Sequence, residues 1–69
     1  MNRENLINAR KKQGCTQLEL ANKLGITERH YRALEAGTSK GSVDVWEKLK
    51  FILRAKSIDW LLEQSDDKS

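Results

Sequence analysis

At about 100° per residue, Glu28, Arg29, Arg32, Ala33 and Ala36 share one arc of a helix, with His30 at its flank, while Tyr31 and Leu34 point the other way. Two guanidiniums, a carboxylate and short alanines are side-chain types that can read the major groove of double-stranded DNA. Arginine bonds guanine in bidentate fashion, a carboxylate accepts from the cytosine amino group, and alanine touches the thymine methyl. The arc opens at a helix N-terminus, where backbone amides favour phosphate. An ordinary solvated face of mixed charge fits the same residues, and the arc alone leaves both readings open. Catalysis is poorly served. His30 is the only histidine, and no second metal ligand or acid–base partner stands at a motif spacing around it. Glu28 with Arg32, and Glu19 with Lys23, are i, i+4 pairs that suit helix support. The expectation is a chain that is not an enzyme and takes no cofactor or metal.

The elements that must position this arc are bounded by length and composition. Sixty-nine residues make one small domain, near the lower limit at which a single core holds a fold without staples. The net charge is +3, unevenly placed: eight basic side chains face four acidic ones over residues 1–40, against five and six over residues 41–69. A basic N-terminal half points to a polyanion as partner, with a charged solvent face as the plain alternative. No apolar run approaches the roughly 18 residues of a membrane span, and nothing resembles a signal peptide, so the chain is expected to be cytoplasmic. Cys15, the one cysteine, has no partner for a disulfide or a zinc site and reads as a small buried apolar group. With no proline and no alternating β-branched segments, the chain is expected to be all-α.

The first helix is predicted from about Arg3 to Gln13, stopping at Gly14. Thr16 and Glu19 form a capping box for the second, with Cys15 and Leu20 at the spacing of a hydrophobic staple. That helix ends at Leu24, Gly25 makes the turn, and Thr27 caps a third helix running to about Ala36; Ile26 and Tyr31 repeat the staple spacing. Gly37 and the loop Thr38–Gly41 lead to Ser42, the cap of a fourth helix with Val43, Trp46, Leu49 and Leu53 as its apolar stripe. Ser57 caps a short last helix holding Ile58, Trp60, Leu61 and Leu62, and residues 64–69 form a polar tail expected to fray. Between the second and third helices a steep crossing needs a left-handed residue, Gly25, and a small contact, Ala21. Leu20, Leu24, Ile26, Tyr31 and Leu34 are placed to close the pair on one side.

The run Thr16-Gln17-x-Glu19-Leu20-Ala21-x-Lys23-Leu24-Gly25-Ile26-Thr27, followed by Leu34-Glu35-x-Gly37, resembles the phage repressor and Cro type of helix-turn-helix, the XRE family. Ser57-Ile58-Asp59-Trp60-Leu61-Leu62 is similar to the last helix of those repressors, and the likeness covers about Leu6 to Leu62. It implies a compact five-helix, lambda-repressor-like domain over residues 1–63 and a sequence-specific regulator, most simply a repressor, whose third helix reads double-stranded DNA. By their match to the family's positions, Glu28, Arg29 and Ala33 are implied to face base edges, with Arg32 reaching a base or a phosphate. Gln17, Thr27, Thr38, Ser39 and Lys40 are implied to hold phosphates, and Arg10 with Glu35 to form a structural salt bridge. A palindromic operator read by a homodimer through Ile58, Trp60, Leu61 and Leu62 is the implied assembly. An antitoxin or adaptor that uses the same fold on a protein partner is the alternative. The sequence departs from the family pattern in three places. It lacks a proline near position 41, has Lys50 where alanine is usual, and has Arg54-Ala55-Lys56 in place of a glycine turn. The last two leave open whether Leu53 or Ile52 is the buried residue of the fourth helix. Trp46 and Trp60 read as core or interface anchors, and Leu18 as an exposed apolar residue.

Overall fold

Most of the helices begin on a hydroxyl. The computed structural model describes residues 2–64, which form α1 (Glu4–Lys12), α2 (Gln17–Leu24), α3 (Glu28–Ala36), α4 (Val43–Leu53) and α5 (Ile58–Leu62). Thr16, Thr27, Ser42 and Ser57 each accept from the backbone amide three residues on, which satisfies a donor that the helix itself leaves unpaired. At α2 the box is complete: the Glu19 amide donates to Thr16 Oγ1 at 3.0 Å, and the Thr16 amide donates to Glu19 Oε1 at 2.9 Å. Only α1 lacks a side-chain cap, with Arg3 at that position. The turn between α2 and α3 is made by Gly25 at φ 75°, a backbone conformation that costs an L side chain steric strain.

These elements share one core. Leu6, Leu20, Tyr31, Leu34, Leu49 and Leu61 are its largest fully buried side chains, one or two from each helix. Each aliphatic member contributes roughly 1.5–3 kcal/mol by leaving water. α2 packs on α3 with Ala21 fully buried; α1 lies against α3 and α5, and α4 against α2 and α5. Cys15 and Ile26, the residues ahead of the two threonine caps, are half-buried against this core. No helix among the described residues is long and apolar enough to cross a membrane.

The fourth helix differs from its predicted phase. Val43 is 71% exposed, and its place in the stripe is taken by Val45, which is buried with Trp46, Leu49 and Leu53. The row Val43, Glu47, Phe51, spaced i, i+4, i+8, faces solvent instead, with Phe51 84% exposed. Leu53 is the buried residue at the end of the helix, and Ile52 only packs against the edge of the core. Periodicity alone could not choose, because apolar residues occupy both sides of this helix; its contacts with α2 and α5 do. Gln64 donates to the Gly37 carbonyl at 3.4 Å, and the rest of the predicted tail, 65–69, lies outside the described residues.

Two turn positions depart from the family pattern in opposite senses. Arg54 closes α4 in the left-handed region at φ 55°, where a glycine carries no Cβ penalty. Gly41, at φ 69°, is tightly enclosed: a Cβ there would meet Trp46 Nε1 at 2.8 Å and Leu34 Cδ2 at 2.9 Å. Arg54→Gly is therefore expected to stabilise the domain by roughly 0.5–1 kcal/mol, a rise of some 2–8 °C in Tm for a chain of this size. Gly41→Ala is expected to destabilise it by about 2–4 kcal/mol, from overpacking added to left-handed strain. Thermal unfolding followed by circular dichroism checks both signs.

Candidate nucleic-acid interface

The proposed reading helix, α3, is tied to its neighbours by the Glu35 carboxylate. Arg10 Nε of α1 donates to Glu35 Oε2 at 2.6 Å, and Gln17 Nε2 of α2 donates to Glu35 Oε1 at 2.9 Å. Arg10 also donates from Nη1 to the Cys15 carbonyl at 2.9 Å, which holds the α1–α2 connection. The side chains of this ion pair are 11% and 5% exposed. Desolvation is the largest single influence on Arg10 and lowers its pKa, but the hydrogen bond and charge of Glu35 outweigh it and leave the guanidinium more firmly protonated than usual. The Tyr31 hydroxyl is buried in the same environment without a hydrogen-bond partner among the described residues. Burial first, and then the Glu35 carboxylate, push its pKa well above the ordinary tyrosine value.

On the outer side of α3, Arg29 is exposed and makes no hydrogen bond or ion pair with any described residue. Arg32 is exposed and lies 2.9 Å from Glu28 in an i, i+4 pair. Ala33 is half-buried, and its carbonyl accepts from the Thr38 and Ser39 amides at 3.1 and 3.3 Å, folding the loop after Gly37 back onto the helix. Further along this seam the His30 Nε2 and Ser39 Oγ atoms are 3.5 Å apart. Thr27, Thr38 and Lys40 are exposed around the same side, and Ser39 is half-buried. The fold thus brings Thr27, Glu28, Arg29, Arg32, Ala33, Thr38, Ser39 and Lys40 together on the cap, outer face and following loop of one helix. Gln17 joins them from behind, through Glu35. An amide nitrogen carries two N–H groups, and one of Gln17's has no partner among the described residues.

The residues expected at a dimer contact lie elsewhere, on α5. Ile58, Trp60 and Leu62 are half-buried, and Lys56 Nζ sits 5.9 Å from the Trp60 ring centroid. Leu61 is fully buried in the core, so the apolar surface this helix leaves open consists of the other three.

Sequence reasoning missed Arg3. Its guanidinium donates from Nη1 to the Leu34 carbonyl at 2.7 Å and to the Ser39 carbonyl at 2.8 Å, and it stands 5.1 Å from the centroid of Trp46. Its backbone amide donates to the Glu35 carbonyl at 2.8 Å. The residue is 5% exposed, and desolvation lowers its pKa. These partners are 31 and 36 residues away and are backbone carbonyls, so no spacing rule or side-chain pattern could have marked them.

Two helices crossing over a left-handed glycine, the second offering a polar outer face while its inner face joins a five-helix core, define a helix-turn-helix domain. The helix-turn-helix family model matches residues 6–61, and the chain belongs to that family, of the XRE type its sequence resembles. No curated protein and no solved structure matches it. The domain is a DNA-binding regulatory module of this type.

Two measurements check the network around Glu35. Arg10→Met or Glu35→Leu alone strands a buried charge and is expected to cost on the order of 3–5 kcal/mol, whereas the double substitution costs less than the sum of the two. The second concerns pH. Because the folded-state pKa of Tyr31 is raised, its contribution to stability is full below the unfolded value of about 10 and is lost as pH rises beyond it. Tyr31→Phe, which removes a buried hydroxyl with no hydrogen-bond partner among the described residues, is expected to match or exceed the parent's stability at neutral pH. It is also expected to lose less between pH 9 and 11 in urea titrations.

Proposed function

We propose that this chain is a sequence-specific transcriptional regulator, most simply a repressor, that reads a palindromic operator in double-stranded DNA as a homodimer. The observation that carries the reading is Arg29, an exposed guanidinium without a partner among the described residues, in the first turn of the second helix of a helix-turn-helix. With α3 in the major groove, Arg29 bonds guanine, Glu28 accepts from a cytosine amino group and Ala33 touches a thymine methyl. Arg32 reaches a base or a phosphate. Its pair with Glu28 is exposed, so releasing it costs only a few tenths of a kcal/mol. Gln17, Thr27, Thr38, Ser39 and Lys40 hold phosphates and set the register without reading sequence. Ile58, Trp60 and Leu62 form the contact between two copies, whose reading helices enter successive major grooves about 34–36 Å apart. One observation favours a protein partner as a second reading, an adaptor or antitoxin on the same fold: Phe51 and Val43 place an apolar row on the solvent side of α4.

Selection of bound sequences from random duplex DNA at moderate salt, with the stoichiometry of the selected complex, tests the proposal. A two-fold-symmetric motif held by two chains is the expected result, and recovery of no sequence overturns it in favour of the protein partner. On the selected motif, Arg29→Ala is expected to cost roughly 1–3 kcal/mol and to relax preference at one base pair. Gln17→Ala weakens all sequences alike and, because the side chain is neutral, leaves the salt slope unchanged. Equal losses on every sequence for both variants would show that the reading face lies elsewhere.

A further inference from the structure

The loop between α3 and α4 is fastened from behind by two side chains that meet there from distant parts of the chain. Arg3 holds the Ser39 carbonyl at 2.8 Å while gripping the last turn of α3 through the Leu34 carbonyl at 2.7 Å. Trp46 of α4 donates from Nε1 to the next carbonyl, that of Lys40, at 2.6 Å. The two fasteners lie against each other, with the guanidinium carbon 5.1 Å from the indole centroid, and they are 5% and 4% exposed. Gly41 closes the assembly, because any Cβ there would strike Trp46. On the other side, the Thr38 and Ser39 amides are taken by the Ala33 carbonyl. Consecutive loop carbonyls are therefore drawn inward, and the Thr38 side chain and the Lys40 ammonium remain exposed.

Holding the N-terminal segment to the core would explain Arg3 less well. Its guanidinium has no carboxylate partner, since the two ion pairs among the described residues are Arg10–Glu35 and Arg32–Glu28. Its Nε is buried with no acceptor among the described residues. Burying a cation on carbonyls and a ring face alone is a costly way to gain stability, and an apolar side chain of similar volume would serve at least as well. What an apolar side chain could not do is hold two carbonyls on two different elements in one geometry. That geometry belongs to the loop carrying Thr38, Ser39 and Lys40.

We propose that Arg3, together with Trp46, is a positioning residue of the DNA interface: the pair shapes the 38–40 loop to receive a backbone phosphate before DNA arrives. The inference rests on the DNA-reading proposal above. Prior ordering removes the cost of fixing the loop at the moment of binding, so it acts on every sequence equally.

The test compares the parent with Arg3→Lys, Arg3→Met and Trp46→Phe. The probe is random-sequence duplex of about 30 base pairs, long enough for two half-sites a helical turn apart. Kd is measured across a range of salt concentrations, with the unfolding midpoint of each variant recorded alongside. Arg3→Lys keeps the charge but loses the planar Nη1 group whose two hydrogens reach both carbonyls, and Trp46→Phe keeps the arginine and an aromatic ring while removing the donor to the Lys40 carbonyl. Both are expected to bind roughly 5–20-fold more weakly, with a salt slope reduced by up to about 0.9, the value of Lys40, the one cation of the loop, losing its phosphate. Relative preferences among sequences stay unchanged, and the Thr38 and Ser39 amides exchange faster in both variants.

Variants that are less stable yet bind with parental affinity and slope overturn the proposal and leave Arg3 a fastener of the fold. Parental binding by Arg3→Lys with weakened binding by Arg3→Met also overturns it, since charge and not position would then matter. If Arg3→Lys fails to fold, Trp46→Phe decides by the same criteria. A parent that binds no duplex at any salt overturns the DNA reading itself, and this inference falls with it.

Discussion

The Glu35 carboxylate is the constraint on which the rest of the molecule depends. It is 4% exposed, it accepts from Arg10 of α1 on one oxygen and from Gln17 of α2 on the other, and the backbone carbonyl of the same residue takes the Arg3 amide. Three donors, from α1, α2 and the segment ahead of α1, therefore converge on one residue near the end of α3. An apolar core can hold helices together without fixing how each is rotated, because leucines repack at small cost when volume is kept. A buried carboxylate cannot tolerate such sliding: a shift that loses one donor leaves a desolvated charge behind. In a chain of 69 residues without a disulfide, that intolerance orients α3, and so decides which of its residues face out.

The outer surface follows from what is used inside. Tyr31, Leu34 and Glu35 are buried on the inner side of α3, leaving Glu28, Arg29 and Arg32 for the outer one. The loop that continues this surface is shaped by residues that never reach it. Arg3 and Trp46 take its carbonyls, Gly41 gives it room to pass over the indole, and Ala33 takes its amides. A surface that presents hydroxyls and cations to a polyanion needs its backbone carbonyls turned elsewhere, since a free carbonyl would repel phosphate. Here the interior of the fold takes them.

The local elements were legible because their signals are local. A threonine three residues ahead of a glutamate, a glycine at a helix end and a hydroxyl before an apolar run each act within one turn, and the helix boundaries fall within a residue of those expected. The phase of α4 was less legible. Val43, Val45, Phe51 and Ile52 give that helix apolar groups on several sides, and only the packing of α2 and α5 decides that Val45 and Leu53 are covered while Val43 and Phe51 are not. Leu61 shows the same limit. It belongs to an apolar group of four, but the neighbours of α5 bury it completely and leave Ile58, Trp60 and Leu62 partly open.

By itself, then, the sequence determined the five helices, their caps, the left-handed turn at Gly25, the helix-turn-helix family and the charged arc on α3, because each depends on residues within a few positions of one another. The tertiary structure decided the inner side of α4, the enclosure of Leu61, the tie between Gln17 and Glu35, and the seat of Arg3 under the loop. The last of these joins residues 31 and 36 positions apart through main-chain carbonyls, groups that every residue carries. Side-chain identity cannot encode which carbonyl an arginine will meet. Only the packing of α1 against α3, and of Trp46 beneath the loop, brings those atoms into hydrogen-bonding range.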